Sequence, residues 1–129
     1  MFENINSIVK EIEKSFGFLF SRGYRVSHAE YSPQFNQSWV VEIEAEDFNI
    51  FITNDRNEIL LEFSPINSRD PQKRISFEEL ASNLSKGSTI IEPFQGNLAW
   101  GRKKQLIRWS KLLETFINQI ELHFKKLQV

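Results

Sequence analysis

Cysteine is absent from this 129-residue chain. That removes disulfides, thiolate zinc sites and cysteine nucleophiles together, and it fits a reducing compartment. Histidine occurs only at positions 28 and 123, in distant segments and without the i, i+4 spacing of a two-histidine helical site, so no metal is expected. No serine sits in a Gly-x-Ser-x-Gly elbow. No apolar run approaches the roughly 20 residues of a membrane span. Met1-Phe2-Glu3-Asn4 lacks the basic and apolar regions of a signal peptide. Neither charge sign dominates: 16 Lys+Arg against 17 Asp+Glu give a net charge of −1, which offers no overall bias toward nucleic acid or membrane. The expectation is a cytoplasmic protein with no cofactor and no membrane partner.

What the chain does have is core material. Forty per cent of its residues are hydrophobic, with 12 Phe and 3 Trp, enough for one domain over residues 1–129 and inconsistent with disorder. Phe2, Ile5, Val9, Ile12, Phe16 and Phe20 recur at steps of three and four, which predicts an N-terminal helix ended at Gly23. The stripe reads as core in preference to an exposed peptide groove. Tyr24 to Tyr31 predicts a first strand, stopped near Pro33, and Gln34 to Gln37 a polar connection.

From Ser38 to Phe63 the period is two. Trp39, Val41, Ile43 and Ala45 point one way; Val40, Glu42, Glu44 and Glu46 point the other. Phe48, Ile50 and Ile52, then Ile59, Leu61 and Phe63, supply the inner face of two more strands. Asn54-Asp55-Arg56-Asn57 between them has the composition of a tight hairpin turn. Ser64 to Ile75 reads as a loop. Ser76-Phe77-Glu78-Glu79 matches a capping box that opens a short helix through about Leu84. From about Ala99, Leu106, Trp109, Leu113, Phe116, Ile120, Phe124 and Leu127 predict a helix of about seven turns. The fold class expected is α+β: one antiparallel sheet of four strands, with a fifth as the alternative, carrying an N-terminal, a short and a long C-terminal helix.

Two motif echoes fail on their surroundings. Lys86-Gly87-Ser88-Thr89 resembles the end of a phosphate-binding loop, but it lacks the earlier glycine and follows a helix. Metal-dependent nucleases place Glu-x-Lys on a strand, and none of Glu42, Glu44 or Glu62 has that lysine.

Charge distribution says more. Residues 42–62 hold seven acids and one base, and Glu42, Glu44, Glu46, Glu58 and Glu62 share the outward parity. Val40, Phe51 and Leu60 share it too, which predicts a small apolar patch with an acidic rim, a composition found at protein interfaces. The opposing expectation is that residues 85–101 fold over this face. The long helix starts basic, with Arg102, Lys103, Lys104, Arg108 and Lys111. Cations there oppose the helix dipole, so another contact should favour them: acidic strands of this chain or of a second copy. A nucleic-acid site is disfavoured, because the patch covers only a turn or two in an acidic protein.

Four features taken together carry a family likeness: Phe18-Leu19-Phe20-Ser21-Arg22-Gly23-Tyr24, the strand with Trp39, the Ile50–Phe63 hairpin, and Ser76-Phe77-Glu78-Glu79-Leu80. This layout resembles small bacterial α+β proteins of the toxin-immunity type. The resemblance implies a non-enzymatic protein that binds and neutralises one protein partner, and it transfers no functional residue. The outline is also similar to small secretion chaperones, which implies a homodimer. A small enzyme or ligand binder remains the other class; it would need a pocket between the sheet and residues 85–101, where His28, Tyr31, Trp100 or Arg102 converge.

Overall fold

A computed structural model describes residues 4–32, 38–68, 70–91 and 101–128. Helices α1 (Ile5–Ser15) and α2 (Gly17–Ser21) lead into four strands: β1 (Arg25–Tyr31), β2 (Trp39–Glu44), β3 (Phe48–Asp55) and β4 (Glu58–Pro65). A 3-10 turn (Pro71–Lys73), a two-residue strand β5 (Ile75–Ser76), and helices α3 (Phe77–Leu84) and α4 (Arg102–Leu127) complete it. The sheet is antiparallel with strand order β1-β2-β3-β4-β5. The α+β class and the five-stranded alternative are therefore observed.

The helices cover one face. Trp39, Val41, Ile43, Ile50, Ile52, Ile59, Leu61 and Phe63 from the sheet are buried together with Ile8, Ile12, Phe16, Phe77, Leu80, Trp109, Leu113 and Phe124. A run of ring contacts crosses that core. Phe48 stacks on Phe124 at 4.9 Å, Phe63 meets Phe77 edge-on at 5.8 Å, and Phe77 meets Trp109 at 5.8 Å. The N-terminal stripe is thus core, as expected for a face of that apolarity.

Turn chemistry fixes the register. Asp55 pairs with Glu58 across the hairpin, leaving Arg56 and Asn57 as a two-residue loop with φ of 53° and 71°. Two consecutive positive φ values match the right-handed strand twist, which is why an Asn-rich turn suits this hairpin. At the end of α2, the Gly23 N–H donates to the Phe20 carbonyl at 3.1 Å and the Tyr24 N–H to the Leu19 carbonyl at 3.2 Å. This is a Schellman cap, and Gly23 (φ 93°) takes its left-handed position without steric cost. The predicted capping box is seen in part, with Ser76 Oγ accepting from the Glu79 N–H at 3.2 Å.

Three local expectations change. The first helix breaks at Phe16 (φ −108°, ψ 34°) before Gly17, a poor helix former. The break rotates the stripe, so Leu19 is fully buried and Phe20 only partly. The stretch read as a loop after Ser64 also contains the end of β4, the 3-10 turn and β5. Pairing of Glu62 with Ser76 and Phe63 with Ile75 depends on a chain return that no local pattern encodes. Lys86-Gly87 forms a second Schellman cap, in which the Lys86 N–H donates to the Asn83 carbonyl and the Gly87 N–H to the Ser82 carbonyl. That accounts for the phosphate-loop echo as helix termination. Phe2, Pro33 to Gln37 and Ala99 lie outside the described residues.

One polar contact pins α4 to the sheet. Only Glu62 and Phe63 of β4 pair with β5, so among the described residues the β4 edge near Ile59 has no strand partner. Buried Gln105 fills the gap: its Oε1 accepts from the Ile59 N–H at 2.9 Å and its Nε2 donates to the Asn57 carbonyl at 2.7 Å. The Trp109 indole N–H donates to the Ile59 carbonyl at 3.0 Å. Side chains of α4 thus satisfy backbone groups that a longer fifth strand would otherwise have paired.

Candidate protein-binding face

Register places the outward residues in three rows. Glu30, Val40, Thr53 and Leu60 form one, and His28, Glu42, Phe51, Glu62 and Ser76 the next. Arg25, Glu44, Asn49 and Ser64 form the third. A bulge at Ser27, between Val26 and His28, keeps Arg25 on the outer side. Val40 and Leu60 therefore flank Thr53, while Phe51 lies in the neighbouring row between two glutamates. Glu46 stands beyond the strand in the β2–β3 turn, exposed.

The predicted apolar patch is only partly open. Val40 and Leu60 are half-buried, but Phe51 is only 5% exposed, with the Arg74 guanidinium 3.8 Å from its ring centre. Such a cation over a ring face adds roughly 0.5–1 kcal/mol or more as the pair loses water. Arg74 also reaches Glu62 at 4.0 Å. Arg25 bonds Glu44 at 2.8 Å, and His28 lies 3.3 Å from Glu30. Two arginines that the sequence reading left out of the 42–62 window thus belong to this face. Leaving aside the Asp55–Arg56 pair at the hairpin tip, five carboxylates (Glu30, Glu42, Glu44, Glu58, Glu62) stand against Arg25 and Arg74, a balance of −3. Among the described residues, Glu42 and Glu58 make no ion pair. Together with Glu30, whose neighbour His28 is charged only when protonated, they carry the uncompensated charge.

The basic residues lie in the helical layer. The Arg102 Nε and Nη2 both donate to Glu11 Oε2, at 2.9 and 2.6 Å. Its counter-ion is therefore on α1, not on the acidic strands. Lys104, Arg108 and Lys111 border an apolar groove of about 570 Å³ between α4 and Thr89-Ile90-Ile91, and Lys103 is exposed beside it. The described end of the 85–101 segment accordingly runs along α4; residues 92–100 lie outside the described part. The pocket envisaged for an enzyme does not assemble from the residues that are described. His28 is on the outer sheet face and Tyr31 packs against the core, while Arg102 is held at α1. Trp100 is not among the described residues.

A second concavity, about 610 Å³, opens at the end of the sheet between β1, the β2–β3 turn and α4, a place no sequence pattern marked. Tyr24 Oη donates to Glu121 Oε2 at 2.5 Å, and Arg22 holds Glu121 at 2.8 Å and Asn118 at 2.9 Å. Burial first, then the bond to Glu121, pushes the Tyr24 phenol well above its ordinary range. Every one of these groups is engaged with another, so the cluster fastens α4 to the start of β1. On α3, burial raises the Glu78 carboxyl above its ordinary value, against the opposing bonds from its own backbone and Ser76. Among the described residues no group of three or more His, Cys, Asp or Glu could hold a metal ion, and no helix is long and apolar enough to cross a membrane.

Comparisons with protein-family models, with curated proteins and with solved structures returned no match.

Proposed function

We propose that this chain is a non-enzymatic binding module, of the immunity-inhibitor kind, that presents the outer face of its sheet to a basic protein surface. The observation that carries the reading is the face itself. It is a broad antiparallel sheet with a −3 balance, in which Glu42 and Glu58 have no ion-pair partner among the described residues and the half-buried Val40 and Leu60 lie nearby. Clustered like charge speeds encounter with a partner of opposite sign, and the apolar side chains add area once water leaves. Arg74 and Arg25 hold Glu62 and Glu44 in place, so part of the surface is ordered before any partner arrives, which lowers the entropy cost of binding.

Affinity capture from the native cell extract tests the proposal, with wild type run beside Glu42→Lys with Glu58→Lys. Reversal at these two positions breaks no ion pair seen in the fold. The expected result is one basic protein retained by wild type and lost with the double variant and in high salt. Capture of the same proteins by both would remove the sheet face from consideration.

A further inference from the structure

We propose that the solvent side of α4, together with Ile90, docks on an anionic lipid bilayer, an activity separate from the protein-binding reading of the opposite sheet face. Four large apolar side chains stand exposed among the described residues: Ile90 (73%), Ile107 (39%), Leu122 (54%) and Leu127 (57%). Ile107 and Leu122 share the solvent side of α4, and Ile90 stands beside Ile107 across the groove. At 3.6 residues per turn, Ile107, Lys111, Leu122, Lys125 and Lys126 fall within an arc of about 100°. That arc lies opposite the buried stripe of Leu106, Trp109, Leu113, Phe116 and Phe124. It runs for roughly 29 Å along the helix at 1.5 Å per residue. Lys104 and Arg108 extend it at the groove, and exposed Glu114 is its nearest acid.

Apolar side chains among lysines along one helix face match the bilayer interface, where anionic headgroups meet the cations and isoleucines enter the acyl boundary. Two features favour a bilayer over an acidic peptide seated in the groove. Exposed apolar and basic residues recur beyond the groove, at Leu122, Lys125 and Lys126, about 16 Å past Lys111 with the polar Thr115 and Asn118 between, a spread that a flat surface spans and a short helix does not. Ile90, which lines the groove, also keeps 73% of its surface open to solvent. Charge complementarity sets the orientation as well: the sheet face, at −3, is on the other side of the molecule, and an anionic membrane repels it.

Co-sedimentation of the full chain with vesicles supplies the test, using phosphatidylcholine alone and phosphatidylcholine mixed with phosphatidylglycerol. The expected result is binding only to the phosphatidylglycerol vesicles, weakened by salt within the Debye length. Lys111→Gln and Lys125→Gln should each lower it roughly fivefold. Ile90→Ser with Ile107→Ser should lower it as well. All four positions are exposed, so the variants should keep the fold, which circular dichroism checks. No binding to the phosphatidylglycerol vesicles would overturn the proposal. So would binding that the isoleucine pair does not affect, or retention of an acidic peptide or heparin with no vesicle binding.

Discussion

Replacing Gln105 by alanine isolates the contact that joins α4 to the sheet. The side chain is 2% exposed; its Oε1 accepts from the Ile59 N–H at 2.9 Å and its Nε2 donates to the Asn57 carbonyl at 2.7 Å. Asn57 sits in an exposed turn, so its carbonyl returns to water at little cost. The Ile59 N–H is buried and stays unsatisfied, a penalty of about 1–3 kcal/mol. Lost packing from the truncated side chain adds about 1 kcal/mol. The expected total is therefore about 2–4 kcal/mol, or roughly a 10 °C fall in Tm for a domain of this size. Urea unfolding followed by tryptophan fluorescence reads it as a lower midpoint with an unchanged slope. Gln105→Glu sharpens the test. Protonated, the carboxyl can accept from Ile59 and donate to Asn57 as glutamine does. Ionised, it has no proton to donate to the Asn57 carbonyl and its charge sits on a side chain buried like that of Gln105, so its folded-state pKa should rise above the ordinary carboxylate value. Its stability should then match wild type at low pH and fall as pH rises through the folded value. A loss below about 1 kcal/mol for the alanine variant would refute the role given to this clamp, because a buried unmet donor alone should exceed it. So would a pH-independent glutamate variant.

Other outcomes follow from single contacts. Tyr24→Phe should cost about 1–2 kcal/mol at neutral pH through the lost bond to Glu121. Because the folded phenol titrates above its unfolded value, wild type should lose stability above about pH 10 and the gap to Tyr24→Phe should close there, which paired denaturation curves measure. Lys86 holds a left-handed φ of 55° at the end of α3, so Lys86→Gly should raise stability by about 0.5–1 kcal/mol, read as an upward Tm shift. Glu11→Gln removes the half-buried partner of Arg102 and should cost about 1–2 kcal/mol, less at high salt if Coulomb attraction carries it.

How far the fold could be read in advance depended on whether its determinants were local. Strand faces, the Asn-rich hairpin, the Ser76 cap and the α4 stripe as far as Phe124 are written in spacing and turn residues, and all four are seen; Leu127, expected to close that stripe, is 57% exposed in the last turn of the helix. The break at Phe16 moved burial from Phe20 to Leu19, a competition between stripe and glycine that periodicity alone does not decide. Strand β5 and the clamp at Gln105 depend on where distant segments return, and a glutamine beside an apolar stripe looks no different from a solvated one. The same limit shaped the candidate face. Parity correctly put Val40, Phe51 and Leu60 on one side. Register then set Phe51 in another row, and Arg74, 23 residues along the chain, came to cover it. Arg25 reached the face only through the bulge at Ser27.

The most direct measurement is carboxylate footprinting of the protein alone and with its captured partner, by carbodiimide labelling and mass spectrometry. Docking on the outer sheet face should protect Glu42 and Glu58, and to a lesser degree Glu44 and Glu62, while Glu13 and Glu114 in the helical layer label as before. Unchanged labelling at Glu42 and Glu58, with protection at Glu114 instead, would contradict the assignment of this face.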